Sequence, residues 1–176
     1  LARFTKLLSL IPESFNLVMY LDTEFLRSSD TLASLISPEE LGLSVALPSL
    51  ATGLVNTIAV AVDLETRELV TPFQSNLSIS EMLRLASGFG LRLGGDGAPP
   101  YGGHDVWEMN LFGAVLAMAA TDETTGVAAS GADIAASDAR SLMEAALDAF
   151  DGRSARLLDA PGLSRLVENV PLGFAA

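Results

Sequence analysis

The chain has 176 residues, of which 49% are hydrophobic and 18% are charged, and its acidic residues outnumber its basic ones to give a formal net charge of −12. The length predicts a single domain over residues 1–176, and because the charged fraction is below the usual quarter or so, we expect either a surface of small polar residues or a face buried against a second copy. A strongly negative field repels phosphate backbones, and no basic cluster is interleaved with aromatic residues, so these features argue against nucleic-acid binding.

The chain contains no cysteine and a single histidine. These counts exclude disulfides, thiolate nucleophiles, cysteine-ligated metals and zinc sites built from several histidines. No cofactor and no metal site is predicted. The chain begins at Leu1 rather than at a methionine, from which we expect a trimmed or mature form that would have lost any signal peptide or lipid-attachment site.

The first third of the chain predicts alternating helices and strands. An amphipathic helix is expected from Ala2 to about Pro12, and the apolar run Phe15–Asp22 predicts a strand covered on both faces. Asp22 or Thr23 then caps a helix that carries apolar residues between 25 and 36. The segment from Leu41 to Val62 has no charged side chain, but its proline and asparagine argue against a membrane span.

The charge-free segment is better explained by a short apolar element over Val45–Val55 and a buried strand over Thr57–Leu64. The next strand, ELVTPF, contains Pro72, which predicts an edge or a strand end. A helix is then expected from a cap at Ser78 or Ser80, and Leu91–Asp105 is expected to be an irregular, glycine-rich loop.

The last third predicts a strand at DVWEMN, a hairpin from about Ala114 to Ser130, and a long helix that Gly152 ends. A short helix is expected over Pro161–Val167. Helices are too few for a doubly wound parallel sheet. The element order therefore predicts an α+β fold, a largely antiparallel sheet with helices on one face, and duplicated split β-α-β (ferredoxin-like) units fit it best.

Two groups of side chains are candidates for a functional site. Tyr101, His104, Asp105 and Trp107 lie in or beside the glycine-rich loop, where they can form a ligand or partner surface. His104 and Asp105 can also act as a base and its orienting partner, although the chain has no Gly-x-Ser-x-Gly sequence for a nucleophile.

Asp22 and Asp63 are the second candidate group, because each follows a hydrophobic strand and the two carboxylates can meet at one rim of the sheet. Such a pair can hold a divalent cation or act as acid and base. Further carboxylate pairs at Asp122–Glu123 and Asp148–Asp151 are interpreted as helix caps and turns.

Much of the chain resembles uncharacterised bacterial extracytoplasmic or lipoprotein-type domains. The resemblance is carried by the segment PYGGHDVWEMNLFGAVLAMAATDETTGVAASG and by the following helix with LLDAPGLSRLVENVP. LLSLIPES and YLDTEFLR near the N-terminus are similar to the same group. The resemblance covers most of the chain but rests on structural motifs of low specificity. It implies export and an α+β fold, and it transfers no catalytic residue.

The function expected from the sequence is that of a non-enzymatic extracytoplasmic module, which binds a protein or a small molecule through the Leu91–Asp105 loop or a sheet edge. Two alternatives remain open. The first is a carrier of an apolar small molecule, which requires an enclosed apolar cavity. The second is a metal-assisted hydrolase that uses Asp22 and Asp63, which requires both carboxylates to face one pocket.

Overall fold

The computed structural model describes residues 2–23, 54–88, 92–94, 99–111, 114–131 and 136–160. Within these ranges the strands are β1 (Leu17–Asp22), β2 (Val55–Val62), β3 (Glu68–Ser75), β4 (Arg92–Gly94), β5 (Val106–Leu111), β6 (Ala114–Ala120) and β7 (Thr125–Gly131). The helices of the same ranges are α1 (Ala2–Leu8), α2 (Ile79–Gly88) and α3 (Ala136–Phe150), with a 3-10 helix at Leu157–Asp159.

The strands form one antiparallel sheet in the order β1-β2-β3-β7-β6-β5-β4. The α+β class with an antiparallel sheet is therefore confirmed. The order differs from that of duplicated split β-α-β units, in which two strands joined by a helix flank one other strand. Here β3 and β4, which are joined through α2, have three strands between them, and other consecutive strands are neighbours in the sheet.

The two faces of the sheet carry separate cores. Ala117 and Ala119 of β6 face a first core that includes residues of α1 and α3, whereas Leu116 and Met118 face a second core that includes residues of α2. The helices thus cover both faces, which corrects the prediction that they lie on one face. The sequence of β6 is continuously apolar because both sides of this strand are buried.

Small side chains on the strands let the helices approach the first face closely. The strand residues that are fully buried there are mostly alanine and valine: Ala59, Ala61, Val70, Ala117, Ala119, Val127 and Ala129. Opposite them, α1 contributes Leu7 and Leu8, and α3 contributes Met143 and Leu147, each at most 1% exposed. The long helix predicted before Gly152 is confirmed as α3.

Helix α2 begins with a capping box at Ser78, one of the two serines that the sequence offers as the cap. The amide of Glu81 donates to Ser78 Oγ at 3.2 Å, and the amide of Ser78 donates to Glu81 Oε2 at 3.2 Å. The Ser78 hydroxyl also donates to Glu81 Oε2 at 2.9 Å, and this hydrogen bond, together with the one from the Ser78 amide, lowers the pKa of the Glu81 carboxyl. The buried side chains of α2, Ile79 and Leu83, pack on the second core.

Pro72 lies in a central strand, which corrects the prediction of an edge or a strand end. It pairs with Val127 of β7 in the register of β3. On the other side, the pairing of β3 with β2 is interrupted between Phe73 and Val70. A proline has no amide hydrogen to donate, and this gap in the ladder removes the need for one.

Strand β1 forms one edge of the sheet. Val18 and Tyr20 pack against the first core, and the Tyr20 ring meets Phe4 of α1 edge to face at 4.8 Å. On the other face Leu17, Met19 and Leu21 are 40%, 50% and 40% exposed. The prediction that this segment is covered on both faces is therefore wrong for one face in the described part of the chain.

Several predicted elements lie outside the described residues: the helix after Thr23, most of the Val45–Val55 element, and the helix at Pro161–Val167. The Leu91–Asp105 segment is partly described, and its residues Arg92–Gly94 form β4, paired with β5, rather than an irregular loop. Within the described ranges, no helix has the length and apolar character needed to cross a membrane.

Candidate functional site

A tight turn presents the first group of candidate residues. Tyr101 and His104 exchange backbone hydrogen bonds of 3.0 and 2.9 Å, and between them Gly102 and Gly103 have φ values of 59° and 90°. Two consecutive residues with positive φ are what a type I′ hairpin turn requires, and glycine adopts this geometry at low cost. The glycine-rich sequence therefore encodes a defined turn at this point.

Tyr101 lies in a network at the C-terminal end of α3. Its hydroxyl donates to the Asp148 carboxylate at 3.0 Å, and this hydrogen bond raises the pKa of the phenol. Arg153 Nε donates to Asp148 at 2.6 Å, its Nη1 lies 2.8 Å from Asp151, and its guanidinium is 5.4 Å from the Tyr101 ring centroid. The arrangement fixes the turn to the helix.

His104 is held from both sides of its ring. Its Nε2 lies 3.1 Å from Asp151 Oδ1, and its Nδ1 lies 3.2 Å from the carbonyl oxygen of Ala120. The carboxylate that meets the histidine is thus Asp151, and the sequence-based pairing with Asp105 is wrong. Both ring nitrogens therefore lie within hydrogen-bond distance of a protein oxygen, and these two contacts fix the orientation of the ring.

A pocket of about 290 Å³ opens beside this turn, and we call it the Trp107 pocket. It lies where three parts of the chain meet: the Tyr101–Asp105 turn, the β6–β7 turn and the first residues of α2. Its lining residues are mainly polar: Ser78, Ile79, Ser80, Gly103, His104, Asp105, Trp107, Ala120, Thr121, Asp122 and Glu123.

Three carboxylates border the Trp107 pocket, and no lysine or arginine is among its lining residues. Asp122 is neutralised by the ammonium group of Lys6 in α1. Burial alone raises the pKa of Asp122, but the hydrogen bonds from Lys6 and from the amides of Thr124 and Thr125 outweigh it and lower the pKa to about 2. Asp105 and Glu123 form no ion pair within the described part of the chain.

The start of α2 also borders the pocket, but two of its amides already donate to acceptors within the protein. The Ile79 amide donates to the carbonyl oxygen of Glu123 at 2.7 Å, and the Glu81 amide donates to Ser78 Oγ. A helix N-terminus attracts anions mainly through unsatisfied amides. With these amides engaged and carboxylates nearby, the local field favours a cation.

The structure separates Asp22 and Asp63. Asp22 pairs with Thr57 at the start of β2, whereas Asp63 follows the other end of that strand. Six residues of strand place the two about 20 Å apart. They cannot share one ion or one substrate bond, because antiparallel neighbours end at opposite rims. Asp63 instead accepts the amides of Glu65 and Thr66 and shapes the β2–β3 turn.

Of the predicted site residues, His104, Asp105 and Trp107 line one pocket. Tyr101 lies in the adjoining turn and is hydrogen-bonded to Asp148 of α3. Asp22 and Asp63 lie elsewhere. The sequence did contain Asp148–Asp151 and Asp122–Glu123 as carboxylate pairs. Their partners were missed, because Asp151 follows His104 by 47 residues and Lys6 precedes Asp122 by 116 residues. Contacts over such separations require the topology.

The sequence matches no protein-family model and no curated protein. Among solved structures, crystal form III of TP0453 is similar, with a TM-score of 0.50 and 10% sequence identity. The match covers 77% of this chain and 50% of that one, so the chain spans about half the length of the structure it matches. At this identity the likeness supports the fold alone.

Proposed function

We propose that this chain is a non-enzymatic, extracytoplasmic binding module whose ligand is a small organic cation held in the Trp107 pocket. The observation that carries the proposal is the lining of that pocket: three carboxylates, an indole ring and no basic side chain other than His104. The resemblance to exported domains supports the extracytoplasmic location.

Charge and shape favour a cation over other ligands. An ammonium group is attracted by the carboxylates of Asp105 and Glu123, which form no ion pair with another described residue, and by the face of an indole ring. The net charge of −12 also concentrates cations around the molecule and repels anions. An apolar ligand would have to cover mainly polar side chains, which costs desolvation energy.

Trp107 is the only tryptophan in the chain, so its fluorescence reports on this pocket alone. We expect a saturable change in emission on titration with tetramethylammonium or spermidine, and none with acetate or phosphate. Binding should weaken as salt rises, because the attraction between exposed charges is screened. No saturable change with either cation, or saturable binding of the anions, would contradict the proposal.

Two substitutions and a matched control locate the site. Asp105→Asn and Glu123→Gln each remove one carboxylate from the pocket and should weaken cation binding by about two- to fivefold, in the range of an exposed ion pair. Glu65→Gln removes the same charge from the β2–β3 turn at the other end of β3 and should leave binding unchanged. An equal effect of all three would indicate general charge screening and no defined site.

A further inference from the structure

Three polar side chains form a row across the first face of the sheet. Thr57 of β2 lies directly opposite Gln74 of β3, which in turn lies directly opposite Thr125 of β7. Directly opposite residues of paired strands point to the same face. Thr57 is followed on this face by Ala59, and Thr125 is followed by a valine of the same core. We call Thr57, Gln74 and Thr125 the polar row.

Within the described part of the chain, the oxygens of the polar row are buried and have no hydrogen-bond partner. Thr57 is 1% exposed and Thr125 is 0% exposed. The unpartnered atoms are the Oγ1 atoms of both threonines and Gln74 Oε1. Burial and the charge of Asp22 raise the pKa of the neighbouring Tyr20 phenol, and the Thr57 hydroxyl partly offsets this, but the two hydroxyls do not meet in hydrogen-bond geometry.

The polar row is an exception to the composition of this face. The other fully buried strand residues of the first core are mostly alanine and valine. Valine has almost the shape of threonine, so the face could be closed by apolar side chains throughout. A buried polar group that has lost its water without gaining a partner destabilises the folded state, and native proteins contain few such groups. Three in neighbouring positions therefore indicate a polar occupant that they share.

Helix α1 encloses the space above the polar row. Its Phe4 contacts Tyr20 of β1, and its Lys6 pairs with Asp122 of the β6–β7 turn. The strands β2, β3 and β7 lie between these two contacts in the strand order. Both contacts are also close to the row, because Asp122 accepts the amide of Thr125 at 2.9 Å. An occupant would thus lie between α1 and the sheet, away from bulk solvent.

The spacing of the polar row fits bridging water molecules. Neighbouring strands lie about 4.8 Å apart, and a water with a hydrogen bond of about 2.8 Å on either side spans up to about 5.6 Å. The two threonines are separated by two such steps, about 10 Å, so that one water cannot reach both. Gln74 Oε1 only accepts hydrogen bonds, whereas a threonine hydroxyl both donates and accepts. A water on each side of Gln74 can therefore satisfy all three oxygens.

We infer that two internal water molecules bind between α1 and the sheet, one bridging Thr57 to Gln74 and the other bridging Gln74 to Thr125. A metal ion is a poorer fit, because three neutral oxygens in a line replace too little of its hydration shell. A buried water needs only two to four polar partners. Helix α1 is thus attached to the sheet partly through bound water.

Oxygen-17 magnetic relaxation dispersion tests the inference directly, because it counts the water molecules that a protein holds for longer than it tumbles. The double variant Thr57→Val with Thr125→Val should hold two fewer such molecules than the unmodified chain. Thr71→Val is the control, since Thr71 is a half-buried threonine of β3 on the opposite face, and it should hold the same number. If the double variant does not fold, each single variant should lack one water.

Urea unfolding gives a second readout whose sign separates the alternatives. If water bridges the row, Thr57→Val and Thr125→Val each remove a hydrogen bond, and the urea midpoint should fall relative to Thr71→Val. If the oxygens are simply unpaired, the same substitutions remove a buried polar group without loss, and the midpoint should rise. The midpoint of the unmodified chain should be equal in sodium, potassium and ammonium chloride.

A loss of two long-lived water molecules together with lower urea midpoints would support the inference. An unchanged water count in the double variant would overturn it, as would midpoints above that of Thr71→Val. A midpoint that rises with the concentration of one cation and not of the others would also overturn it, because the occupant would then be an ion.

Discussion

At the scale of single residues, two adjacent glycines in the Tyr101–His104 turn differ in their surroundings. A Cβ atom on Gly102 would lie 2.5 Å from the Arg153 guanidinium, whereas a Cβ on Gly103 has no heavy atom within 4 Å. Both have positive φ. Backbone strain is therefore common to both positions, and only Gly102 has in addition a close contact with a side chain.

We expect Gly102→Ala to destabilise the fold more than Gly103→Ala. Each substitution places a Cβ in the left-handed region, at about 1–2 kcal/mol. At Gly102 the new methyl group also displaces Arg153 from Asp148 and Asp151. Urea unfolding of both variants measures the difference.

Repeating the pair in an Arg153→Ala background provides the control, because the excess cost of Gly102→Ala should then disappear. An excess that persists without Arg153 would place its origin in the backbone.

At the scale of elements, the ion pair of Lys6 with Asp122 joins α1 to the β6–β7 turn. The pKa of Asp122 is about 2 in the folded chain against 3.8 for an ordinary aspartate. A carboxyl whose pKa is lowered by folding stabilises the fold above its unfolded pKa, and this contribution disappears as the pH falls through the folded value. The relevant window is therefore pH 4 to 2.

Asp122→Asn should lower the free energy of unfolding at neutral pH by less than about 1 kcal/mol, because the pair is partly exposed and the amide oxygen still accepts the turn amides. The difference from the unmodified chain should shrink as the pH falls from about 4 to about 2, as measured by urea unfolding at each pH. A difference that stays constant over this window would show that Asp122 acts through its shape and not its charge.

Most helices and strands of the described residues could be predicted from the sequence alone. Periodicity located β1, β2, β3 and the β6–β7 hairpin to within a few residues, and cap chemistry placed the start of α2 at Ser78 or Ser80, because these signals are local. In the structure the cap is Ser78. The central place of β3 was missed. Pro72 argues for an edge only when both ladders are continuous, and the gap toward β2 depends on a pairing that no local pattern reveals.

The candidate site was predictable only in part, for the same reason. Its aromatic and glycine residues lie together in sequence, so His104, Asp105 and Trp107 were found from one segment. The carboxylates that complete it come from the β6–β7 turn and the end of α3. Asp22 and Asp63 were paired wrongly because they follow neighbouring strands, and the carboxyl ends of two neighbouring strands meet at one rim only when those strands are parallel.

At the scale of the whole molecule, the two cores differ in size. Among the described residues, the first core includes buried side chains from α1, α3 and five strands, whereas the second has five buried members. Leu147 is 0% exposed in the first core and Leu83 is 5% exposed in the second. A cavity created by shortening the Leu147 side chain would therefore be lined by rigid, fully packed residues.

Leu147→Ala should lower the free energy of unfolding by about 2–5 kcal/mol, as large-to-small core substitutions do. Leu83→Ala removes the same atoms and should cost less, because partly exposed neighbours such as Met82 can relax into the space. Urea unfolding of both variants compares them. Equal losses would mean that the second face is packed as rigidly as the first.

The strand order also bears on how the chain folds. The β6–β7 hairpin closes about six residues of chain between Ala120 and Gly126, whereas the pairing of β3 with β7 begins with Gln74 and Thr125, about 50 residues apart. The longer closure costs about 2 kcal/mol more conformational entropy. The β2–β3 and β6–β7 hairpins can thus form before β3 pairs with β7. This pairing joins the two halves of the sheet, and it is the step of folding that costs the most conformational entropy.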